Sequence, residues 1–223
     1  IAGRPGDGKT SLLLSVAKNA AESGKQVAVF SLEMSNEQVV MRIISMETGI
    51  PFGAMRRSKI KKEQWDLYNS AVEKYENLPL YLNDLPAITV SQMRKVLMEL
   101  QALYGKMDLI IVDYLQLQGS DNDHNTREQE VSEVSRGLKG IAKEFNAPVL
   151  AAAQLSREVE KRSEKGPVLS DLRESGSIEN DADIVAFIYR PEKYEKDAVK
   201  QNVAEIIFAK HRNGAVGSIE LIF

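Results

Sequence analysis

Hydrophobic and polar positions along the chain follow two periods. Short β-branched runs fall at Val27–Leu32, Leu109–Asp113, Val149–Ala153, Ile184–Tyr189, Ala204–Ala209 and Ser218–Phe223, with a weaker one at Leu80–Asn83. Over Thr10–Glu22, Asn36–Glu47, Lys62–Tyr75, Val90–Tyr104 and Arg127–Phe145 the apolar residues recur at helical spacing, which predicts helices there. Leu12, Leu13 and Val16 are expected to form the inward face of the first helix. Ser35, with Gln38 three residues on, reads as the capping box of the second. Alternating strands and helices imply an α/β fold, a mostly parallel central sheet flanked by helices, with ligands at the C-terminal ends of the strands. The last two runs, joined by His211–Gly217, read instead as an antiparallel hairpin at the sheet's edge.

No internal repeat or linker divides the chain, so residues 1–223 are expected to form one domain. Two polar stretches, Gly119–Thr126 and Arg157–Ser170, join a strand to a helix at the ligand end of the sheet. They are either functional loops or solvated connectors. Trp65, Met41, Met93 and Met98 occupy apolar helical positions and are expected in the core. His124 and His211 are isolated and imply no metal site.

Composition changes this picture little. No run of 18 apolar residues is present, so no membrane partner is expected. The absence of cysteine excludes disulfides and thiolate metal sites and fits a cytoplasmic location. Ile1 already lies inside a motif, so a segment is expected upstream of it. The net charge of −3, with Lys and Arg scattered, lacks the basic footprint usual for a nucleic-acid partner. A ring with a few cations on its inner surface can nevertheless be acidic outside, so charge does not decide the matter.

The sharpest chemical signal is Gly3-Arg4-Pro5-Gly6-Asp7-Gly8-Lys9-Thr10, followed by Ser11, which fits the P-loop pattern at every fixed position. Glycines let backbone N–H groups converge on phosphate oxygens, and the following helix aims its positive end at the same anion. Lys9 is the expected β- and γ-phosphate ligand, and the Thr10 hydroxyl an expected Mg²⁺ ligand of bound ATP. Asp7 is an unusual residue inside such a loop, because phosphate repels its carboxylate.

Leu109–Asp113 is an apolar strand ending in a carboxylate, the position from which a P-loop enzyme holds Mg²⁺. Tyr114 follows in place of a second acid, so an attacking water needs another base. Glu33, at the end of Val27–Leu32, is the candidate; it also fits as a helix-leading acid. Gln154 ends Val149–Ala153 and reads equally as a γ-phosphate contact or as a backbone-satisfied strand end.

The segments GRPGDGKT, VFSLEMS, LIIVDYLQL, REQEVSEVSRGLKGIAKE, AAQLSR, SDLRESGSIENDADIVAFIYR and AKHRNG occur in this order along essentially the whole chain. In that order they resemble the C-terminal motor domain of DnaB-type replicative helicases of bacteria and their phages. The resemblance implies a RecA-like P-loop NTPase that forms a homo-hexamer, hydrolyses ATP with Mg²⁺ between subunits and moves on single-stranded DNA. It further implies contacts of the full-length protein with primase and a helicase loader, and a helical N-terminal domain that this sequence does not contain. By the same resemblance Glu33 is the general base, Gln154 the γ-phosphate sensor and Arg42 an auxiliary nucleotide-site residue. Lys210 and Arg212 become the lysine and arginine finger reaching a neighbour's site; residues two apart on a strand share one face. Without the resemblance, these two read as a solvated hairpin with Asn213-Gly214 as its turn. Arg173, Glu174 and Gly176 correspond to the loop that grips the DNA backbone, although no aromatic side chain is present there to stack bases. The Gly119–Thr126 loop has no Lys or Arg, which argues against DNA contact from it. A RecA-type recombinase filament would share the P-loop, Glu33 and Gln154; a monomeric P-loop kinase would need a complete site within one subunit.

Overall fold

The computed structural model describes residues 1–117, 119–122, 126–156, 159, 162, 166–194 and 201–222, with the backbone alone at 117 and 173–176. The strands are β1 (Ala2–Gly3), β2 (Val27–Ser31), β3 (Leu80–Asn83), β4 (Leu109–Asp113), β5 (Val149–Ala151), β6 (Ala153–Gln154), β7 (Ile184–Tyr189), β8 (Val203–His211) and β9 (Gly217–Ile222). They form two ladders, β3-β2-β4-β5 and β6-β1-β7-β8-β9. The N–H of Ala152 donates to the Val112 carbonyl at 2.8 Å and that of Ala153 to the Ile1 carbonyl at 2.8 Å. Val149–Gln154 therefore runs on as one strand through both ladders. The pairs from β3 to β7 are parallel. The β8–β9 pair is antiparallel, as the sequence predicts, but so is β7–β8, which makes the antiparallel edge wider than a hairpin.

The helices are α1 (Lys9–Glu22), α2 (Asn36–Thr48), α3 (Phe52–Arg56), α4 (Trp65–Glu76), α5 (Val90–Tyr104), α6 (Arg127–Glu144), α7 (Gly176–Asp181) and α8 (Pro191–Tyr194). Ser35 caps α2 by accepting the Gln38 N–H. The predicted helix over Lys62–Tyr75 begins with a 3₁₀ turn at Lys62–Gln64 before α4. The short α3, led by Pro51, was not visible in the periodicity.

Strand alternation explains the two cores. Phe30, Ile110 and Val112 face α5 and α6, packing with Met93, Leu97, Val134, Leu138 and Ile141. Val27, Val29 and Ile111 face α1 and α2, packing with Leu13, Leu14, Ala17, Val39 and Ile43. Sides covered by helices on both faces need such near-continuous apolar strands.

Three expectations are corrected here. The buried face of α1 is Leu13, Leu14, Ala17 and Ala21, with Leu12 and Val16 only half-buried, because the helical period turns those two off the sheet. Trp65 is 46% exposed: it opens α4, whose one buried residue is Ala71, and meets Tyr68 edge-on. Met98 is 59% exposed because α5 buries Val90, Met93 and Leu97, and the next position falls outside that stripe. Among the described residues no helix is long and apolar enough to cross a membrane.

Candidate functional site

Sheet register assembles the site. Ser31 lies opposite Asp113, so Glu33 leaves β2 beside the end of β4. Gly3 lies opposite Gln154, so the phosphate loop leaves β1 beside the end of β6. Gly6 and Gly8 hold positive φ, 78° and 105°, which side chains resist, and this lets the backbone curl into the N-terminus of α1. No acidic residue occupies the first turn of α1, so its positive end is left for an external anion.

Lys9 Nζ donates to the Gly3 carbonyl at 2.8 Å and to the Arg4 carbonyl at 3.2 Å. Burial holds its pKa below the usual lysine value, opposed by the carboxylates of Asp7, Asp113 and Glu33. Thr10 Oγ1 donates to Asp113 Oδ2 at 2.6 Å, across 103 residues of sequence. Burial raises the pKa of Asp113; the Thr10 hydrogen bond opposes that shift and the charge of Glu33 adds to it. A carboxylate already costly to charge in this setting gains from a cation placed beside it.

These groups open on a cavity of about 350 Å³. Pro5, Gly6, Gly8, Lys9, Thr10 and Ser11 form one side, with Glu33, Met34 and Arg42, then Asp113, Tyr114 and Gln154, around the rest. Arg42 packs over the Phe52 ring, 5.1 Å from its centroid, and its Nε is buried with no hydrogen-bond partner. Such a donor is costly unless a ligand satisfies it. Gln116 accepts the Gln154 N–H at 3.1 Å and returns its own amide to the Gln154 carbonyl at 3.2 Å. That reciprocal clamp fixes the strand end and leaves the Gln154 side chain to the cavity.

Gly3, Arg4 and Asp7 stand outside the cavity lining. Gly3 is paired in the sheet, where an added Cβ would lie 3.2 Å from the Ile188 carbonyl. Arg4 sends Nη1 to the Leu155 carbonyl at 2.8 Å. Asp7 is 1% exposed and accepts the Arg4 N–H at 3.0 Å, Lys193 Nζ at 2.7 Å and Tyr194 Oη at 3.1 Å. Gln116, Lys193 and Tyr194 escaped the sequence reading. Gln116 is hinted at only by its place three residues beyond Asp113.

Lys210 and Arg212 do not line this cavity. Lys210 Nζ donates to the Glu179 and Asn180 carbonyls at the end of α7. Arg212 donates to the Asn180 carbonyl at 3.2 Å and pairs with Asp183 at 3.2 Å, with its side chain half exposed. The side chains of Arg173, Glu174 and Gly176 lie outside the described residues; the backbone runs from a 3₁₀ stretch, Leu169–Ser175, straight into α7. In the Gly119–Thr126 loop, residues 123–125, and so Asp123 and His124, are also outside them. Asp121 accepts the Ser91 N–H at 3.1 Å and its hydroxyl at 2.8 Å, and so caps α5. His211 approaches the Ala215 carbonyl within its own turn.

Among the described residues no group of three His, Cys, Asp or Glu side chains gathers as a metal cage. One hydroxyl and one carboxylate at the mouth of a phosphate loop suit instead an ion that keeps waters and takes its other ligands from phosphates, the habit of Mg²⁺.

A phosphate loop opening a helix, a carboxylate-ended strand meeting the loop's hydroxyl, and this strand order define a P-loop NTPase of the RecA-like α/β class. The model of the DnaB-like helicase C terminal domain family matches residues 1–223, and the chain belongs to that family. It is 47% identical to "Replicative DNA helicase DnaB" of Geobacillus stearothermophilus over 225 residues, covering all of this chain and 49% of that protein. The figures are the same for "Replicative DNA helicase DnaC" of Bacillus subtilis (strain 168). The chain thus spans about half the length of the curated relatives it matches. Among solved structures, one of an isolated ATPase domain aligns with a TM-score of 0.95 at 35% identity, covering this whole chain and 79% of that one. "The Structure Of A DnaB-Like Replicative Helicase And Its Interactions With Primase" aligns at 0.94 and 35% identity, covering this whole chain and 54% of that one. The recombinase alternative gains no support from these likenesses.

Proposed function

We propose that the chain is the ATP-hydrolysing motor of a replicative DNA helicase, working in the cytoplasm as a homo-hexamer with its catalytic sites between subunits. The observation that carries this reading is the meeting of Thr10 with Asp113 at the mouth of the phosphate loop, in a cavity that Glu33, Arg42 and Gln154 also line. In it, Lys9 exchanges two backbone carbonyls for β- and γ-phosphate oxygens. Thr10 and Asp113 hold Mg²⁺, which when bound neutralises charge on the transferred phosphoryl group. Glu33 takes the proton of the attacking water. Gln154, fixed by Gln116, contacts the γ-phosphate, and the unpartnered Nε of Arg42 offers a further donor to the nucleotide.

Among the described residues, the cavity lining holds no cation beyond Lys9 and Arg42 to meet charge as it builds. Lys210, near the end of β8, and Arg212, just past it, supply that charge from the next subunit, since both lie away from their own cavity. Arg173, Glu174 and Gly176, at the start of α7, carry the backbone of single-stranded DNA through the ring. Primase and the helicase loader are partners of the longer protein. Lys9→Ala is expected to abolish ATP turnover, measured as phosphate release with DNA present; turnover near the parental rate would remove the nucleotide-site assignment.

A further inference from the structure

A loop built to gather anions carries, in this chain, a carboxylate of its own. Asp7 is 1% exposed, and a carboxylate so buried is tolerated only when paired and hydrogen-bonded. Its partners come from the far end of the sequence. Lys193 Nζ reaches Oδ1 at 2.7 Å, and Tyr194 Oη lies 3.1 Å from both oxygens. The same ammonium donates to the Pro5 carbonyl at 3.2 Å and lies 3.3 Å from where a side chain on Gly6 would begin. One cation therefore braces residues 5, 6 and 7 together from the side away from the cavity.

The brace is itself mounted firmly. Lys193 and Tyr194 end α8, which follows β7, and β7 pairs directly with β1, the strand that feeds the loop. Tyr194 stacks on Tyr189 of β7 with ring centroids 5.5 Å apart and an interplanar angle of 11°. Glu192 accepts the Asn202 N–H at 2.7 Å and pairs with Arg190, closing α8 onto the start of β8.

We propose that Lys193 and Tyr194 are positioning residues of the phosphate loop. They hold the Asp7 carboxylate and the Pro5 carbonyl turned back, so that the mouth presents N–H groups rather than negative oxygens. This rests on the nucleotide-site reading above. Asp7 and Lys193 act as a unit, and losing the cation alone is worse than losing both, because it leaves a buried charge unpaired beside a phosphate site.

The test is steady-state ATPase of the intact protein. Lys193→Met is expected to raise KM for ATP about tenfold or more and keep kcat within about twofold, since no group at the reacting phosphate is touched. Asp7→Met/Lys193→Met, which removes both charges, is expected to bring KM back within about threefold of the parent. Tyr194→Phe keeps the ring stack, loses one hydrogen bond and is expected to raise KM about threefold. A part played only in folding would lower the active fraction, and so kcat, with KM unmoved. A parental KM in Lys193→Met, or a double variant no better than it, overturns the proposal; if Lys193→Met is insoluble, a parental KM in Tyr194→Phe does so. Lys9→Ala measured alongside separates the two readings. Turnover in it removes the nucleotide site, whereas a dead Lys9→Ala with parental KM in Lys193→Met removes the brace alone.

Discussion

Helix α6 offers the same substitution twice with opposite consequences. A Cβ built on Gly137 would lie 2.6 and 2.8 Å from the two γ-methyls of Val90 and 3.2 Å from its Cβ. Val90 is buried and β-branched, so it cannot swing aside as a flexible side-chain end would. Either α5 or α6 must shift, and forcing a methyl into a packed interface costs about 1–3 kcal/mol. Alanine in a helix interior returns only about 0.5–1 kcal/mol over glycine. Gly137→Ala should therefore lose about 1 kcal/mol net. At Gly140, one turn on, nothing lies within 4 Å of the added methyl, and Gly140→Ala should keep its full gain. The variants should thus differ by nearly 2 kcal/mol, or about 4–8 °C in melting temperature for a chain of this size. Thermal and urea unfolding of both beside the parent measure this. A Gly137→Ala protein as stable as Gly140→Ala would refute the close α5–α6 packing from which the sign is derived.

Glu22, Glu47, Lys18 and Lys74, joined by the Tyr75 hydroxyl, tie α1, α2 and α4 together on the surface. Hydrogen bonds from Lys74, then Lys18 and Tyr75, hold Glu47 down from its ordinary 4.5 to about 2. A lowered folded-state pKa means stabilisation that is present above pH 4.5 and is lost as pH falls from there towards 2. Glu47→Gln should flatten that acid limb in urea titrations, as should about 1 M salt, which screens exposed pairs; an unchanged acid limb in the variant would refute the assignment. For Arg173→Ala, DNA-independent ATPase should stay intact while stimulation by single-stranded DNA weakens; unchanged oligo-dT affinity would remove that segment from the DNA path.

What could be read from the sequence follows the range of the forces involved. Leu109–Asp113 and Ile184–Tyr189 were legible to the residue because strands covered on both faces leave continuous apolar runs. The phosphate loop was legible because its glycines answer to local backbone geometry. Glu33 and Gln154 could be placed by their positions at strand ends, which sheet register then brought to one cavity. The run Leu12–Leu14 did not disclose which two of its three leucines face the sheet, since any helical face can begin there. The direction of β8 depends on a partner chosen in space. Hardest was the environment of Asp7, whose cation lies 186 residues away in a four-residue helix with no periodicity to mark it. The sequence could state the problem of a carboxylate in an anion site; only the packing of α8 on the loop answered it.

The claim on which the account depends is that one subunit holds an incomplete catalytic site and its neighbour supplies the missing cations. Arg212→Ala and Glu33→Ala proteins should each bind nucleotide yet hydrolyse it poorly, the finger alone contributing ~10³–10⁵ in rate. Mixed in equal amounts, about a quarter of ring interfaces should pair an intact Glu33 with an intact Arg212, and ATPase activity should reappear in the mixture. Activity that stays at the level of the separate variants, in rings shown to contain both, would contradict the shared site.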